Sequence, residues 1–553
     1  MSATVDRIAE TLADARSARV TEQEALRSLA DLGEARSGHA SRRADGAFFT
    51  ADDVAAWLTR RAITTHLLEA AGAELGELDS ALADGRDLHR VLRIGATGAA
   101  ARSAMRHRLA SLVVCDPTCG AGAFLIAAWR ELVHLEALLD GAARATGGDD
   151  LEQPRIRAQQ LTGLDLDVDA VAACRAGLEL VTRSTTADIR CGDALMPHPD
   201  DMAAADVLVG NPPYVRAAPG SCPSDLTSAR AGNLAAFIVE RALLAAAPGA
   251  RCAFVLPVAA ACSAQWGELR AQWGRRCRAV FASHFDTIPA TLFPGVVQRL
   301  TILEGCVERP NTVDTGAARW FTTRYHRWKR AERAGLLDRV RFLPLPEVSL
   351  VPGSIAKVGE PVEAALLTRL AAHPPMRRLF AAASDADPNQ RIHYKRRWSY
   401  FLLFADFVPP VWNADGTERE PTECKALDVA PGVDPRVLLA TYSSSLFWWY
   451  FSAFTDNRNV NRRELEGFPL PELTADQLHE LAQLGGELMS ALRACSEVRT
   501  CTYRSIGTIR NTYFRQGATR PVLDRIDAAL ARAYGMSSEE LDFVLAFERR
   551  FRS

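Results

Sequence analysis

The chain reads as an α/β protein: a doubly wound sheet, then a mixed α+β domain, with helical segments at both ends. Three observations carry this reading. Seven short apolar runs, at 112–115, 161–167, 188–194, 207–209, 251–257, 279–285 and 299–303, alternate with stretches of helical periodicity. That is the pattern of a mostly parallel sheet with crossover helices. Four of the runs end in residues suited to a ligand, Asp116, Asp165, Asp193 and Asn211, and open α/β sheets bind ligands at such strand ends. A glycine-rich turn, Gly120-Ala121-Gly122, follows the first run, where bare backbone and a helix N-terminus can approach a ligand closely.

Length and composition set the frame. The 553 residues exceed one ordinary core, so two to four domains are expected. Apolar content of 48% with 24% charged residues fits a globular enzyme and not a disordered chain. A net charge of −2 selects no partner, because a nucleic-acid surface needs local basic patches and not a basic total. Twelve cysteines are scattered with no C-x-x-C pair, and no second Cys/His pair accompanies Cys115 and Cys119. They read as reduced, mostly buried thiols, with no metal site. The N-terminus carries Asp6, Glu10 and Asp14 instead of an apolar leader, and no apolar run approaches the ~20 residues that span a bilayer. A cytoplasmic protein without a membrane partner is expected.

Residues 1–45 read as a helical segment, with Val5, Ile8 and Leu12, then Leu26, Leu29 and Leu32, at helical spacing. In Phe49-Thr50-Ala51-Asp52-Asp53, Thr50 suits the N-cap of a helix whose stripe is Val54, Trp57 and Leu58. The same turn could cover a ligand. Residues 63–110 look helical, with a break near Gly95 and Gly98. The turn at Gly120 lacks the third glycine of the dinucleotide fingerprint, because Phe124 and Leu125 follow, which argues against a NAD-binding enzyme. Asp116 before that turn suits a ligand ammonium better than a pyrophosphate. Asp165, with Asp167 as the alternative, could take both hydroxyls of a ribose. Asp193 could accept from an adenine N6 amino group.

Asn211-Pro212-Pro213-Tyr214 ends the fourth run. Two prolines cannot continue a sheet, so the chain leaves it at Asn211. The Asn211 carboxamide oxygen and the Pro212 carbonyl could both accept from one exocyclic NH2 group. Pro213 stiffens the turn and Tyr214 offers a flat face for a planar group. By itself this is a clamp for any planar amino-bearing ligand, or a proline-stiffened loop.

From about 311 the texture changes. Arg324-Tyr325-His326-Arg327-Trp328-Lys329 and His393-Tyr394-Lys395-Arg396-Arg397-Trp398 interleave cations with aromatics. Such clusters suit phosphate contact and base stacking, or are solvated faces. Arg458 and Arg462 lie on a polar loop after an aromatic-rich helix at 435–451, whose rings read as core packing. The expected boundaries are 1–45, 46–310 for the doubly wound domain, 311–475 for the mixed domain, and 476–553 for a helical C-terminal region.

The order Phe49-Thr50, Asp116-Pro117-Thr118-Cys119-Gly120-Ala121-Gly122-Ala123-Phe124-Leu125, Asp165, Asp193, Asn211-Pro212-Pro213-Tyr214 resembles the γ class of S-adenosylmethionine-dependent N6-adenine DNA methyltransferases. It is most similar to the methylase part of type IIG enzymes and to modification subunits of restriction systems. The motifs cover about 46–305. The resemblance implies a Rossmann-like methyltransferase sheet and a target-recognition domain over 311–475. It also implies double-stranded DNA as partner and S-adenosylmethionine as cofactor. By it, Asp116, Gly120 and Gly122 line the methionine end, Asp165 holds the ribose and Asp193 the adenine, and Pro117, Cys119, Phe124 and Ala194 belong to the same cofactor site. Phe49 and Thr50 close the pocket beside Asn211. Phe293 is a second aromatic against the target base. Arg324, Arg327, Lys329, Lys395, Arg396, Arg397, Arg458 and Arg462 are the DNA contacts. The chain departs from the family pattern in lacking a proline after Thr50 and in carrying Thr118 where a small alanine is common. No nuclease motif is legible, so any restriction is expected from a partner, and a separate restriction endonuclease or a specificity subunit is a candidate partner. Competing readings are a protein glutamine or RNA methyltransferase with the same clamp, and an inactive DNA-binding relative.

Overall fold

The computed structural model describes residues 3–34, 50–96, 98–145, 156–196, 202–293, 296–308, 318–382, 387, 390–397, 402–503 and 507–549. It forms two units, Met1–Leu345 and Pro346–Ser553.

In the first unit, β1 (Val114–Asp116), β2 (Leu161–Asp165), β3 (Asp188–Cys191), β4 (Val207–Gly210), β5 (Arg251–Pro257), β6 (Cys277–Phe285), β7 (Leu300–Val307), β8 (Arg319–His326) and β9 (Leu343–Pro344) make one sheet. Its order is β3-β2-β1-β4-β5-β7-β6-β8-β9. The first five run parallel, and β7 lies antiparallel between β5 and β6. Every residue of β4 and β5 is buried. Strands covered on both faces need no polar alternation, which is why these two read as unbroken apolar runs. The chain winds outward from β1 to β3, returns to place β4 beside β1, and then winds the other way. Cys115 pairs with both Thr162 and Leu208, so Asp116, Asp165 and Asn211 leave the sheet along one edge, beside that reversal.

The longer helices described in this unit are α1 (Ala3–Arg16), α2 (Glu22–Glu34), α3 (Asp52–Ala70), α4 (Leu75–Ala83), α5 (Leu88–Gly95), α6 (Ala99–Ser111), α7 (Ala123–Ala145), α8 (Val168–Thr182), α9 (Leu234–Ala245) and α10 (Gly267–Arg276). Ile8, Leu29 and Leu32 of α1 and α2 pack on Ala173 and Ala176 of α8. The approach is close because Gly33 is bare: a β-carbon there would lie 3.0 Å from that of Ala173. Helix α3 is buried on most of its surface. Its Arg61 meets Glu304 of β7 through Nε at 2.8 and 2.9 Å, a buried pair whose single-partner loss costs about 3–5 kcal/mol.

One expected basic surface is mostly core. The sheet runs past 310, and Arg324-Tyr325-His326 belongs to β8. Tyr325 and Trp328 are buried, and so is Arg327, whose Nε donates to Asp286 at 2.7 Å. Cations alternating with aromatics at a period of two are also what a half-buried strand looks like, and here the strand wins.

The second unit holds α11 (Pro361–Ala371), α12 (Pro435–Ser443), α13 (Ser445–Phe454), α14 (Arg462–Gly467), α15 (Ala475–Ala494), α16 (Arg520–Tyr534) and α17 (Ser538–Ala546). One three-stranded sheet orders β10 (Arg391–Lys395), β11 (Phe404–Ala405) and β14 (Cys424–Asp428) as β11-β10-β14. A second orders β12 (Val411–Asn413), β13 (Glu418–Arg419), β15 (Ser496–Tyr503) and β16 (Gly507–Phe514) as β13-β12-β16-β15. The aromatic run expected as one helix is two, α12 and α13, broken at Ser444, whose hydroxyl caps α13 at the Phe447 amide, 3.1 Å away. All of α13 is buried, and the Trp449 indole donates to Glu363 at 2.9 Å. These rings pack the core, as the sequence suggested.

The C-terminal region expected to be helical throughout is interrupted by the β15–β16 hairpin. Val498, Thr500, Cys501, Thr502 and Tyr503 favour extended backbone, and the antiparallel partner supplies the cross-strand contacts that decide it.

A candidate active site at the strand ends

Asp116, Asp165, Asp193 and Asn211 line one cavity of about 970 Å3 at the edge where β1 and β4 part. Pro117, Cys119, Gly120, Phe124, Ala194, Pro213 and Thr50 also line it. Ten of the twelve expected cofactor positions are therefore in one place. Phe49 lies outside the described residues. Gly122 points elsewhere: its φ is +91°, and a β-carbon there would meet Cys174 Sγ at 2.8 Å. It serves the packing of the turn onto α8. Gly122→Ala should cost roughly 2–4 kcal/mol through a left-handed backbone and a clash, read as a lower denaturation midpoint with an unchanged m-value. Gly120, at φ +52°, faces open space, so it is the bare backbone presented to the cavity.

Asp116 is 1% exposed, and its Oδ1 accepts from the Thr118 amide at 3.0 Å. Burial pushes its carboxyl up to about 8, against a smaller pull from the Thr118 amide, and the neighbouring Asp165 adds to the rise. A carboxyl held this way is poised to receive a cation. Gly210 makes room for it, since a β-carbon there would stand 2.8 Å from Asp116 Oδ1. Gly210 was not read from the sequence as functional; a glycine inside an apolar strand was the available signal.

Asp165 supports the glycine turn directly. Its Oδ2 accepts from the Gly120 amide at 2.9 Å, and its Oδ1 from the Asp167 amide at 2.9 Å. Burial, more than anything else, raises its pKa. Asp167, the alternative for a ribose, is occupied differently: it caps α8, accepting from the Asp169 amide at 2.8 Å. Asp193 Oδ1 accepts from the Leu195 amide at 2.9 Å, which leaves Oδ2 for a ligand donor.

At the clamp, Asn211 Nδ2 donates to Thr50 Oγ1 at 3.1 Å, and the Tyr214 hydroxyl donates to Asn211 Oδ1. Thr50 is not the N-cap of α3 as expected. Ala51 holds that position without a side-chain bond, and the Thr50 hydroxyl serves Asn211 instead. The Tyr214 ring is packed against the hydrophobic core, and burial pushes its phenol well above the ordinary range. Phe293, expected against a target base, is fully buried in the same core. Neither aromatic presents a face to the cavity in this arrangement.

The cavity also extends where no motif pointed. Arg27 of α2, Arg60 of α3, His89 of α5, and Glu131 and His134 of α7 line its other end. His89 Nε2 lies 2.6 Å from Glu131 Oε1. These residues come from four helices, so no spacing in the sequence announces them. Among the described residues no cluster of His, Cys, Asp and Glu could hold a metal ion, and no helix is long and apolar enough to cross a membrane.

The sheet order and this cavity define a class, and comparison with known proteins gives its character. Residues 96–197 match the model of the MmeI family, DNA-methyltransferase domain. The match spans β1, the glycine turn, β2 and β3. Among solved structures, the type IIL restriction-modification enzyme MmeI in complex with DNA is similar over 95% of this chain and 81% of that chain, at TM-score 0.56 and 14% identity. The type I restriction-modification methyltransferase subunit from Streptococcus thermophilus is similar over 55% of this chain and 53% of that one, at TM-score 0.33 and 15% identity. The type IIG restriction endonuclease BpuSI is similar over 93% and 69%, at TM-score 0.37 and 11% identity. At these identities the likeness to MmeI speaks for the fold, and the other two add no argument. No curated protein matches the chain in sequence. Residues 96–197 thus match a DNA-methyltransferase domain, and the likeness to MmeI is one of fold.

Proposed function

We propose that the protein transfers a methyl group from S-adenosylmethionine to N6 of an adenine flipped out of duplex DNA, as the modification enzyme of a restriction-modification or phage-defence system. The observation that carries this is the Asn211 carboxamide. It stands at the end of β4, its oxygen already met by a hydroxyl donor, in the cavity that also holds Asp116, Asp165 and Asp193.

The residues present fit the methyl donor. Asp116, buried and short of a cation, suits its positively charged methionine end. The open side of Gly120 admits close approach of backbone to ligand, and Asp165 and Asp193 suit ribose and adenine. When bound, S-adenosylmethionine supplies the methyl group as an electrophilic sulfonium. The remaining work belongs to this chain. Adenine N6 is unreachable inside a duplex, so the base must leave the stack at a cost of a few kcal/mol. Asn211 Oδ1 and the Pro212 carbonyl then accept hydrogen bonds from its two N6 hydrogens, biasing the amine toward sp3 geometry and freeing its lone pair, and after transfer the methylated amine sheds one proton to water. Tyr214 stacks on the ring once turned out of the core. No protein nucleophile is needed, and alignment of the amine with the methyl group is the main contribution. The test is incorporation of labelled methyl groups into DNA, with sequencing of the modified bases. Methylation at cytosine, or of protein but not DNA, would sink the proposal.

Duplex binding is assigned to the exposed cations of the second unit. Lys395, Arg396, Arg397, Arg458 and Arg462 are all exposed. They form one patch, because Arg397 bridges to Asn459 and the Arg396 carbonyl takes the Val460 amide at 2.8 Å. Arg397 and Arg462 are also held by Glu423 and Glu466. In the first unit Lys329 is exposed, Arg324 half-buried, and Arg327 belongs to the core. Replacing Lys395, Arg396 and Arg458 together by serine should weaken DNA binding. It should also lower the slope of log K against log salt by about 0.9 for each lost phosphate contact, as read by fluorescence anisotropy. An unchanged slope would remove the patch from the interface.

A further inference from the structure

The acceptor of the proposed clamp already has an internal partner. The Tyr214 hydroxyl donates to Asn211 Oδ1, the oxygen assigned to the substrate amine, and its half-buried ring packs against the core. A base entering the clamp must take the place of that hydroxyl, and the Tyr214 ring must swing out. Asn211 then loses the partner at its oxygen end at the moment its oxygen has to be in position. The other end of the same carboxamide is tied to Thr50, through Nδ2 at 3.1 Å. Thr50 is itself 6% exposed, and it stands immediately before the cap of a helix buried along most of its length. It is a fixed point in a site whose other partner must move.

We infer that Thr50 is a positioning residue for Asn211: it holds the carboxamide plane, with the nitrogen toward Thr50 and the oxygen toward the cavity, while Tyr214 leaves and the target amine takes its place. The inference rests on the proposed amine clamp. It gives Thr50 a role different from closing over the cofactor, the role implied by its motif. A terminal amide has a soft, broad final torsion, so a bond at one end removes rotation that the reaction would otherwise have to freeze.

Two substitutions test it. Thr50→Val keeps the shape and removes the hydroxyl; Thr50→Ser keeps the hydroxyl. Single-turnover methyl transfer to long unmethylated bacteriophage DNA, at saturating S-adenosylmethionine, is measured beside the dissociation constant of that cofactor. Thr50→Val should slow transfer by about tenfold, the loss of one hydrogen bond felt at the reacting geometry, with cofactor affinity unchanged. Thr50→Ser should restore most of the rate. Cofactor binding also reports that each variant is folded. Thr50→Val transferring at the parent rate would overturn the inference, and so would a variant that loses cofactor affinity but reaches the parent rate at saturation. Asn211→Ala serves as the control. If it is slow while Thr50→Val is not, the clamp stands and the role of Thr50 falls. If it is as fast as the parent, the clamp itself falls and takes this inference with it.

Discussion

Asn211→Ala should slow methyl transfer by about a hundred- to a thousandfold, the scale seen when one preorganised polar contact is removed from a reacting centre. Cofactor affinity should change little by comparison. The asymmetry follows from geometry. Asn211 lies at the end of β4 and its carboxamide is spent on Thr50 and Tyr214. The donors and acceptors assigned to the cofactor leave from β1, β2 and β3. Removing the carboxamide also takes a partner from the Tyr214 hydroxyl, and loss of a hydrogen bond at a buried phenol is costly. A modest loss of stability is therefore expected beside the loss of rate. Rates measured at saturating cofactor, with binding followed by calorimetry, separate the two. A variant that methylates at the parent rate would exclude the amine clamp.

Asp116→Asn should weaken cofactor binding by about ten- to a hundredfold, the usual worth of a hydrogen bond to a charged partner. It should also stabilise the empty protein at alkaline pH. The sign follows from linkage. The carboxyl titrates near 4 in the unfolded chain and is raised to about 8 in the folded one. Below pH ~4 it is protonated in both states and costs nothing. Between about 4 and 8 the unfolded chain ionises while the folded chain does not, so stability falls as pH rises, and the loss is complete above the folded pKa. The amide variant escapes this. Its melting temperature should match the parent near pH 4 and exceed it at pH 8. A cationic ligand reverses the preference, so binding near neutral pH should release a proton, and parent affinity should rise with pH up to about 8. Calorimetry in two buffers of different ionisation enthalpy reads the proton directly. An amide variant that melts lower than the parent at pH 8 would show that Asp116 is ionised and satisfied in the empty protein.

The local chemistry of the strand ends was legible in the sequence. A buried strand that stops at two prolines must expose what precedes them, so Asn211 could be located without a structure. Glycines after an apolar run mark bare backbone, carboxylates at Asp116 and Asp165 each close a strand, and Asp193 follows the end of β3. The helices between them followed from periodicity. These are features of neighbouring residues, decided by interactions a few positions long.

What the tertiary structure decided involves partners far apart in the chain. Thr50 and Asn211 are separated by 161 residues, and no local pattern distinguishes a threonine that caps a helix from one that holds an amide. Gly210 is bare because of Asp116, a residue on the adjacent strand. Arg327 and Lys395 look alike in sequence, each set among aromatics. One is buried against Asp286 and the other is exposed, because only packing against distant segments determines which side chains face a core. The hairpin at 496–514 depended on a strand partner in the same way. Tyr214 is the sharpest case. Its sequence neighbours suggested a stacking face at the clamp; in the fold its ring packs against the core and its hydroxyl bonds to Asn211.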